Sequence, residues 1–278
     1  MLRQGIRRCS ILADSGAMSS LALHHSRPAS LYRRSLPLAL GSVALLPRAY
    51  CSEASAETES RTQENVPQYI VHLASCANVF PSMYELLDQE HERFQKGTRT
   101  MLGSSRLPAF GTHSRLTHAS RTRTADRFRS TKEGVLFSSD VTARGMDFPD
   151  ITHVIQVDLP RDRESYIHRL GRTARQDRVG EGWLLVPPTS IRPTQQLLDG
   201  LPLQPNCSLA SAAIDIHGAT TLPHYHQELA EITRSCPDTF DRAYISLFNQ
   251  ASVDKEGLAR DLNAWAVEGC GVAQPPRV

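Results

Sequence analysis

Two closely spaced arginines, Arg172 and Arg175, are the residues of this sequence best suited to phosphate chemistry. They belong to the segment Tyr-Ile-His-Arg-Leu-Gly-Arg-Thr-Ala-Arg, residues 166–175. If this segment is helical, His168, Arg172 and Arg175 share one face at i, i+4 and i+7. Two unpaired guanidinium groups can stabilise the charge that develops on phosphate oxygens during phosphoryl transfer. Taken alone, such a helix is more often a solvated face than a phosphate site.

A second segment with ligand-binding residue types lies upstream, at residues 137–149. An apolar strand ends there in Ser139 and Asp140, and the run Arg-Gly-Met-Asp follows. A serine hydroxyl can donate to phosphate, Gly145 lets the backbone approach a ligand closely, and Asp147 can accept from a ribose hydroxyl. The alternative, for this segment alone, is that the two aspartates merely cap turns.

Together the two segments resemble motifs V and VI of the DEAD-box family of superfamily 2 RNA helicases. The matching residues are Ser-Asp-Val-Thr-Ala-Arg-Gly-Met-Asp, residues 139–147, and the ten residues 166–175, in the family's order and spacing. The resemblance implies that Arg172 and Arg175 are catalytic and reach the γ-phosphate of ATP. It also implies nucleotide contacts from Gly145, Asp147 and His168, the last of which would bridge to a partner domain.

The residues 113–117 and the basic helix after them resemble the family segment that precedes motif V. Two positions depart from the family pattern: His118 replaces a glutamine, which puts one RNA contact in doubt, and Ser139 replaces a threonine but keeps the hydroxyl. The RNA-binding residues that the resemblance implies are Arg115, Arg121, Ser139 and Asp140.

The family implies ATP with Mg²⁺ as cofactor and RNA as partner. Its members close two RecA-like domains over ATP and hold RNA by the sugar–phosphate backbone, so that short duplexes are unwound without base recognition. This sequence has neither Gly-Lys-Ser/Thr nor Asp-Glu-Ala-Asp, the first-domain residues for holding nucleotide. We therefore expect an RNA helicase by family that retains only the second motor domain and is inactive alone. A complementary RecA-like domain is a possible partner. The alternatives are a non-catalytic RNA-binding module and a truncated gene product.

The charge distribution favours an RNA partner only locally, because the net charge of the whole chain is +2. Between residues 93 and 129, nine cationic side chains face one acid, Asp126. Such a cluster suits phosphates, although a solvated helix face is nearly as good an explanation. The six cysteines form no Cys-x-x-Cys pair, so we expect no metal site.

Composition divides the chain into five parts. Residues 1–50 are rich in arginine and serine and poor in acids, which is typical of a mitochondrial transit peptide and predicts a location in the mitochondrial matrix. A disordered N-terminal tail is the alternative. The longest apolar stretch of this part is about half the length that a membrane span needs, so we expect no membrane insertion. The other parts are an acidic linker (51–65), the helicase C-terminal domain (66–190), a proline-containing linker (191–221) and a helical C-terminal extension (222–278).

Apolar runs at 134–138, 153–157 and 183–186 predict strands, and Asp162 is the expected N-cap of a helix that runs to residue 176. Strands thus alternate with helical segments between residues 66 and 190, which predicts an α/β fold. We expect a single, incomplete RecA-like domain with a parallel sheet covered by helices on both faces, a small α-helical extension after it and a disordered N-terminus. The domain is expected to lack its motif IV strand, because residues 94–110 show no apolar periodicity. Losing a central strand would leave a gap with unpaired backbone groups. The extension is similar to that of fungal mitochondrial members.

Overall fold

The computed structural model describes residues 8–12, 66–94, 108–113, 116–140, 148, 151–157, 159–174, 179–216, 223–248 and 255–277. These residues form one seven-stranded sheet in the order β3-β4-β1-β5-β6-β2-β7, and every strand pair in it is parallel. The strands are β1 (Arg8–Leu12), β2 (Gln68–His72), β3 (Ala109–Thr112), β4 (Gly134–Ser138), β5 (His153–Gln156), β6 (Glu181–Val186) and β7 (Leu203–Pro205). The α-helices are α1 (Val79–Phe94), α2 (His118–Ser130), α3 (Arg163–Leu170), α4 (Ile191–Leu197), α5 (His224–Ser235), α6 (Pro237–Phe248) and α7 (Lys255–Ala264).

The central strands are buried on both faces, as parallel strands covered by helices must be. In β4, Val135 and Phe137 belong to one apolar cluster together with Trp183 of β6. The residue between them, Leu136, belongs to a second cluster on the other face, together with Phe128 of α2. This alternation confirms the predicted α/β fold, a parallel sheet with helices on both faces.

The sheet has a central strand that the sequence did not predict. We expect a disordered N-terminus, yet Arg8–Leu12 form β1 and pair in parallel with both β4 and β5. The expectation is therefore wrong for these five residues; the rest of residues 1–65 lies outside the described chain. The physical reason is that β4 and β5 present backbone groups to each other across a space one strand wide. The order from β3 to β7 shows no break, and β3 itself contains Phe110, within the stretch predicted to be irregular.

Residues 191–221, predicted to be a linker, contain regular secondary structure where the structure describes them. Residues 191–197 form α4, and residues 203–205 form β7, which pairs with β2 at the edge of the sheet. Its prolines are compatible with regular structure because of their positions. Pro193 lies in the first turn of α4, where no helical N–H partner is needed, and Pro205 lies on an edge strand.

The helices predicted after Pro223 are present as α5, α6 and α7, and a π-helical turn, Trp265–Gly269, continues α7. They pack onto α1 and share the apolar cluster of the sheet. The ring of Trp265 lies 4.9 Å from that of Phe240 in α6 and 6.4 Å from that of Phe80 in α1. The C-terminal extension thus packs against one face of the domain. Among the described helices, none is both long and apolar enough to cross a membrane.

Candidate nucleotide and nucleic-acid site

A partly buried ion pair connects the two motif segments. The Asp140 carboxylate lies just past the end of β4 and receives two hydrogen bonds from the Arg169 guanidinium of α3, at 2.6 and 2.8 Å. Arg169 is fully buried, whereas the Asp140 side chain is 31% exposed. No role for Arg169 is predicted from the sequence. Its position could have indicated its burial, because Arg169 lies three residues after Tyr166 and next to Leu170, and both of these residues face the sheet.

The carboxylate of Asp140 is thus engaged within the protein. Two parallel N–H···O bonds of this kind fix the relative position of the β4 end and α3. Its predicted role in RNA binding stays a prediction.

Tyr166 ties the same helix to the sheet. Its hydroxyl donates to Oε1 of Gln68 in β2 at 2.9 Å, and both side chains are buried. Burial raises the pKa of Tyr166 well above its ordinary value, so the hydroxyl stays a proton donor. At the start of α3, the Asp162 carboxylate accepts from the backbone N–H of Ser165 at 2.6 Å, which confirms the predicted N-cap.

The helix α3 ends earlier than predicted. We expect a helix from Asp162 to residue 176, but α3 ends at Leu170 and Gly171 caps it. Turns with hydrogen bonds between residues three apart follow, and Ala174 has a positive φ of 52°, outside the right-handed helical region. The reason is tertiary: the hydroxyl of Thr173 donates to the carbonyl of Ile151, ahead of β5. The helix therefore ends before Arg172, and Arg175 lies outside the described residues.

His168 and Arg172 nevertheless lie next to each other. The Arg172 Nε donates to the carbonyl oxygen of His168 at 3.1 Å, and both residues are half-buried. The His168 Nε2 lies 3.1 Å from a carboxylate oxygen of Glu164, one turn earlier. An imidazole and a guanidinium at the end of α3 are hydrogen-bond donors of the kind that phosphate oxygens accept.

Besides Asp140, two predicted RNA-binding residues, Ser139 and Arg121, lie at the carboxyl edge of the sheet. Ser139 is buried directly after β4, and its backbone N–H donates to the carbonyl of Thr112 at the end of β3. Arg121 lies in the first turns of α2, which begin beyond that same end of β3. Its Nε is enclosed and has no hydrogen-bond acceptor among the described residues. Open α/β sheets bind their ligands at this edge.

The other predicted site residues, Arg115, Gly145, Asp147 and Arg175, lie outside the described residues. The neighbour of Asp147, Phe148, is buried and its ring lies 5.4 Å from that of Phe128 in α2. No group of three or more histidine, cysteine or acidic side chains that could hold a metal is found in the described part of the chain.

The exposed face of α2 carries part of the predicted basic cluster. Arg123, Arg127 and Arg129 are all exposed. Arg129 pairs with Asp126 at 2.8 Å, and the Arg127 guanidinium lies over the ring of Phe110 at 5.7 Å. The helix therefore presents a net positive surface, with Arg127 and Arg129 in its last turn.

Comparison with known proteins agrees with these features. The family described as helicase conserved C-terminal domain matches residues 66–177. The mitochondrial ATP-dependent RNA helicase cyt-19 of Neurospora crassa is 35% identical over 250 residues, which cover 79% of this chain and 40% of that protein. The mitochondrial ATP-dependent RNA helicase mss116 of Aspergillus fumigatus is 39% identical over 210 residues, covering 72% of this chain and 30% of that protein. A solved structure, Mss116p DEAD-box helicase domain 2 bound to an RNA duplex, matches 95% of this chain with 20% identity and a TM-score of 0.46.

Residues 66–177 are thus a helicase C-terminal domain. The chain belongs to the DEAD-box RNA helicase family and carries the C-terminal domain of that family, as the two motifs imply. It spans 30–40% of the length of the two fungal relatives.

Proposed function

We propose that this chain is the second motor domain of an ATP-dependent RNA helicase that acts on mitochondrial RNA. The observation that carries the proposal is the partly buried pair between Asp140 and Arg169. It joins the segment after β4, which would hold RNA, to the helix whose end would reach the phosphates of ATP. A rigid link between an RNA site and a phosphate site is what a motor domain needs to couple the two.

The RNA would be held by its sugar–phosphate chain. Arg121 and Ser139 offer a guanidinium and a hydroxyl at the carboxyl edge, with Arg115 on the segment between β3 and α2. Such groups bind phosphate oxygens without reading bases. The exposed arginines of α2 add a sequence-independent attraction for the backbone.

ATP would be bound from one side only by this chain. His168 and Arg172, together with Gly145, Asp147 and Arg175, would contact the ribose and the phosphates. The described members of this set are hydrogen-bond donors that fit phosphate oxygens. Bound Mg²⁺ would offset phosphate charge, and its ligands in proteins are oxygens, from carboxylates and the phosphates themselves.

We infer that these residues alone do not hydrolyse ATP, because no Gly-Lys-Ser/Thr segment is present in the sequence. Arginines can stabilise a developing charge on phosphate, but they do not cradle the nucleotide and its metal. A complementary RecA-like domain would complete the site, and the closure of the two domains would separate short duplexes. A non-catalytic RNA-binding module is the second candidate, and the basic face of α2 favours it.

The mitochondrial matrix is the proposed location. The composition of residues 1–50 supports it, as do the mitochondrial names of the fungal relatives. Fusing the first 50 residues to a fluorescent protein tests the proposed location. Colocalisation with a matrix marker is expected, and a diffuse signal would refute mitochondrial targeting by these residues.

The RNA site is tested by binding of a fluorescein-labelled single-stranded RNA to the purified full chain over a salt series. Arg121→Ala is expected to weaken binding about equally for different sequences and to reduce the slope of log affinity against log salt by about 0.7, the value for one lost phosphate contact on a single strand. Arg123→Ala on the same helix removes the same charge from its exposed side and serves as the control. An equal loss of RNA affinity in both variants would contradict a specific contact from Arg121 and would indicate only non-specific attraction by the charges of α2.

ATP hydrolysis is measured on the same protein, with and without RNA. No turnover above a protein-free blank is expected. Turnover that Arg172→Ala abolishes would refute the proposed inactivity and show that the chain is a motor by itself.

A further inference from the structure

The strand β1 comes from the N-terminal segment and lies in the middle of the sheet. It separates β4 from β5, and each of its residues 9–12 is in register with one residue of both neighbours. Cys9 is in register with Val135 and His153, and Ile11 with Phe137 and Ile155. Without β1, the described sheet would divide into β3-β4 and β5-β6-β2-β7.

We propose that residues 8–12 are a permanent strand of the folded domain, so that the N-terminal segment is retained in the working protein. The segment would act as a mitochondrial targeting signal while the chain is unfolded, and its residues 8–12 would then become part of the sheet. Cleavage near residue 50 would remove a central strand. This proposal does not rest on the RNA or ATP sites.

The walls of the space that β1 occupies are held by the apolar clusters on both sheet faces. Phe137 of β4 and Ile155 of β5 belong to one cluster, while Leu136 and Val154 belong to the cluster on the opposite face. Both strands are buried along their whole length. β1 lies between these two buried strands and pairs the backbone groups that β4 and β5 turn toward each other.

The sequence of β1 suits this position. Four uncharged residues, Cys-Ser-Ile-Leu, follow Arg8, which is in register with Gly134 at the start of β4. Ile11 is in register with Phe137 and Ile155, and Ile155 with Trp183; these three neighbours are buried.

The consequence reaches the candidate site, because Ser139 and Asp140 directly follow β4. A β4 strand that is paired on one side only would open locally more often than one paired on both sides. Retention of the N-terminal segment therefore stabilises the end of β4 that presents these two residues.

Hydrogen exchange followed by mass spectrometry on the full chain tests the proposal directly. The backbone N–H groups of residues 9–12 are expected to exchange as slowly as those of 135–138. Exchange of residues 9–12 at the rate of a free chain would overturn the proposal, whatever the variants do.

A matched pair of variants adds a second test. Ser10→Pro removes one backbone N–H and obstructs pairing, so protection of residues 135–138 should fall by at least about tenfold, or the protein should fail to fold. Ser10→Thr keeps the N–H, and protection should stay within about twofold of the parent since β-branched residues suit strands. Unchanged protection in Ser10→Pro would overturn the proposal.

The intact mass of the folded protein recovered from mitochondria gives the third test. An N-terminus at or before Arg8 is expected, and a folded protein that begins after Leu12 would overturn the proposal. RNA binding, measured separately, fails or succeeds independently of these outcomes.

Discussion

Replacing Asp140 by asparagine tests whether the pair with Arg169 holds the two motif segments together. The substitution keeps the size of the side chain and one oxygen acceptor but removes the negative charge. Arg169 is fully buried and its guanidinium cannot lose its proton. The variant therefore leaves a buried charge without a counter-charge from residue 140.

The expected cost follows from the burial of the two partners. Removing one member of a fully buried ion pair costs about 3–5 kcal/mol. Because the Asp140 side chain is 31% exposed and asparagine still accepts one hydrogen bond, we expect roughly 2–3 kcal/mol in the free energy of unfolding. For a domain of this size, that loss corresponds to a decrease in melting temperature of about 4–12 °C.

Urea unfolding followed by tryptophan fluorescence measures the change in free energy, and calorimetry measures the melting temperature. The control is Asp126→Asn on α2, whose carboxylate pairs with Arg129 at the surface; the two side chains are 62% and 39% exposed. An exposed pair of this kind contributes about 0.5 kcal/mol or less. Adding Arg169→Met to Asp140→Asn should restore part of the lost stability, because the buried charge is then absent.

Two results would refute the reasoning. One is a cost for Asp140→Asn no larger than that of the surface control. The other is a double variant whose loss in free energy of unfolding equals the sum of the losses in Asp140→Asn and Arg169→Met. That result would mean that Asp140 and Arg169 do not interact.

Two further predictions concern a buried histidine and a tight glycine. Burial lowers the pKa of His226 from 6.5 to about 4, and its Nε2 lies 2.9 Å from Oδ1 of Asn78. The stabilising contribution of the neutral histidine is complete above pH 6.5 and is lost as the pH falls to about 4, by about 3 kcal/mol at most. In urea unfolding across this pH range, the free energy of unfolding should depend less on pH in His226→Gln than in the parent protein. His224→Gln changes an exposed side chain and should behave like the parent, and an equal pH dependence in His226→Gln and the parent would contradict the prediction. A Cβ at Gly180 would lie 2.0 Å from Oγ1 of Thr173, so Gly180→Ala should lower the free energy of unfolding by about 2 kcal/mol. An unchanged melting temperature would contradict this prediction and show that the backbone around residue 180 shifts at little cost.

Local patterns were sufficient for much of the fold. The apolar runs at 134–138, 153–157 and 183–186 predicted β4, β5 and β6, because a parallel strand buried on both faces needs several adjacent apolar residues. The side chain of Asp162 marked the start of α3, and the periodicity after Pro223 predicted the C-terminal helices. These features depend on neighbours within a few residues, so the sequence contains the information locally.

The site was less predictable because its geometry depends on distant partners. The end of α3 depends on the bond from Thr173 to Ile151, a residue 22 positions away. The role of Arg169 depends on Asp140, 29 positions earlier. Proline content suggested a linker at 191–221, although edge position and a first helical turn accommodate those prolines.

By itself, the sequence determined the family of this protein, its two motif segments and the class of its fold, because these are recorded in residue types at fixed local spacings. Only the tertiary structure decided which carboxylate neutralises Arg169 and which segment completes the sheet. The five residues of β1 have no periodicity that distinguishes them from the rest of an arginine-rich leader. Their conformation is set by the backbone groups of β4 and β5, more than 120 residues away, and a short strand has little stability without its partners.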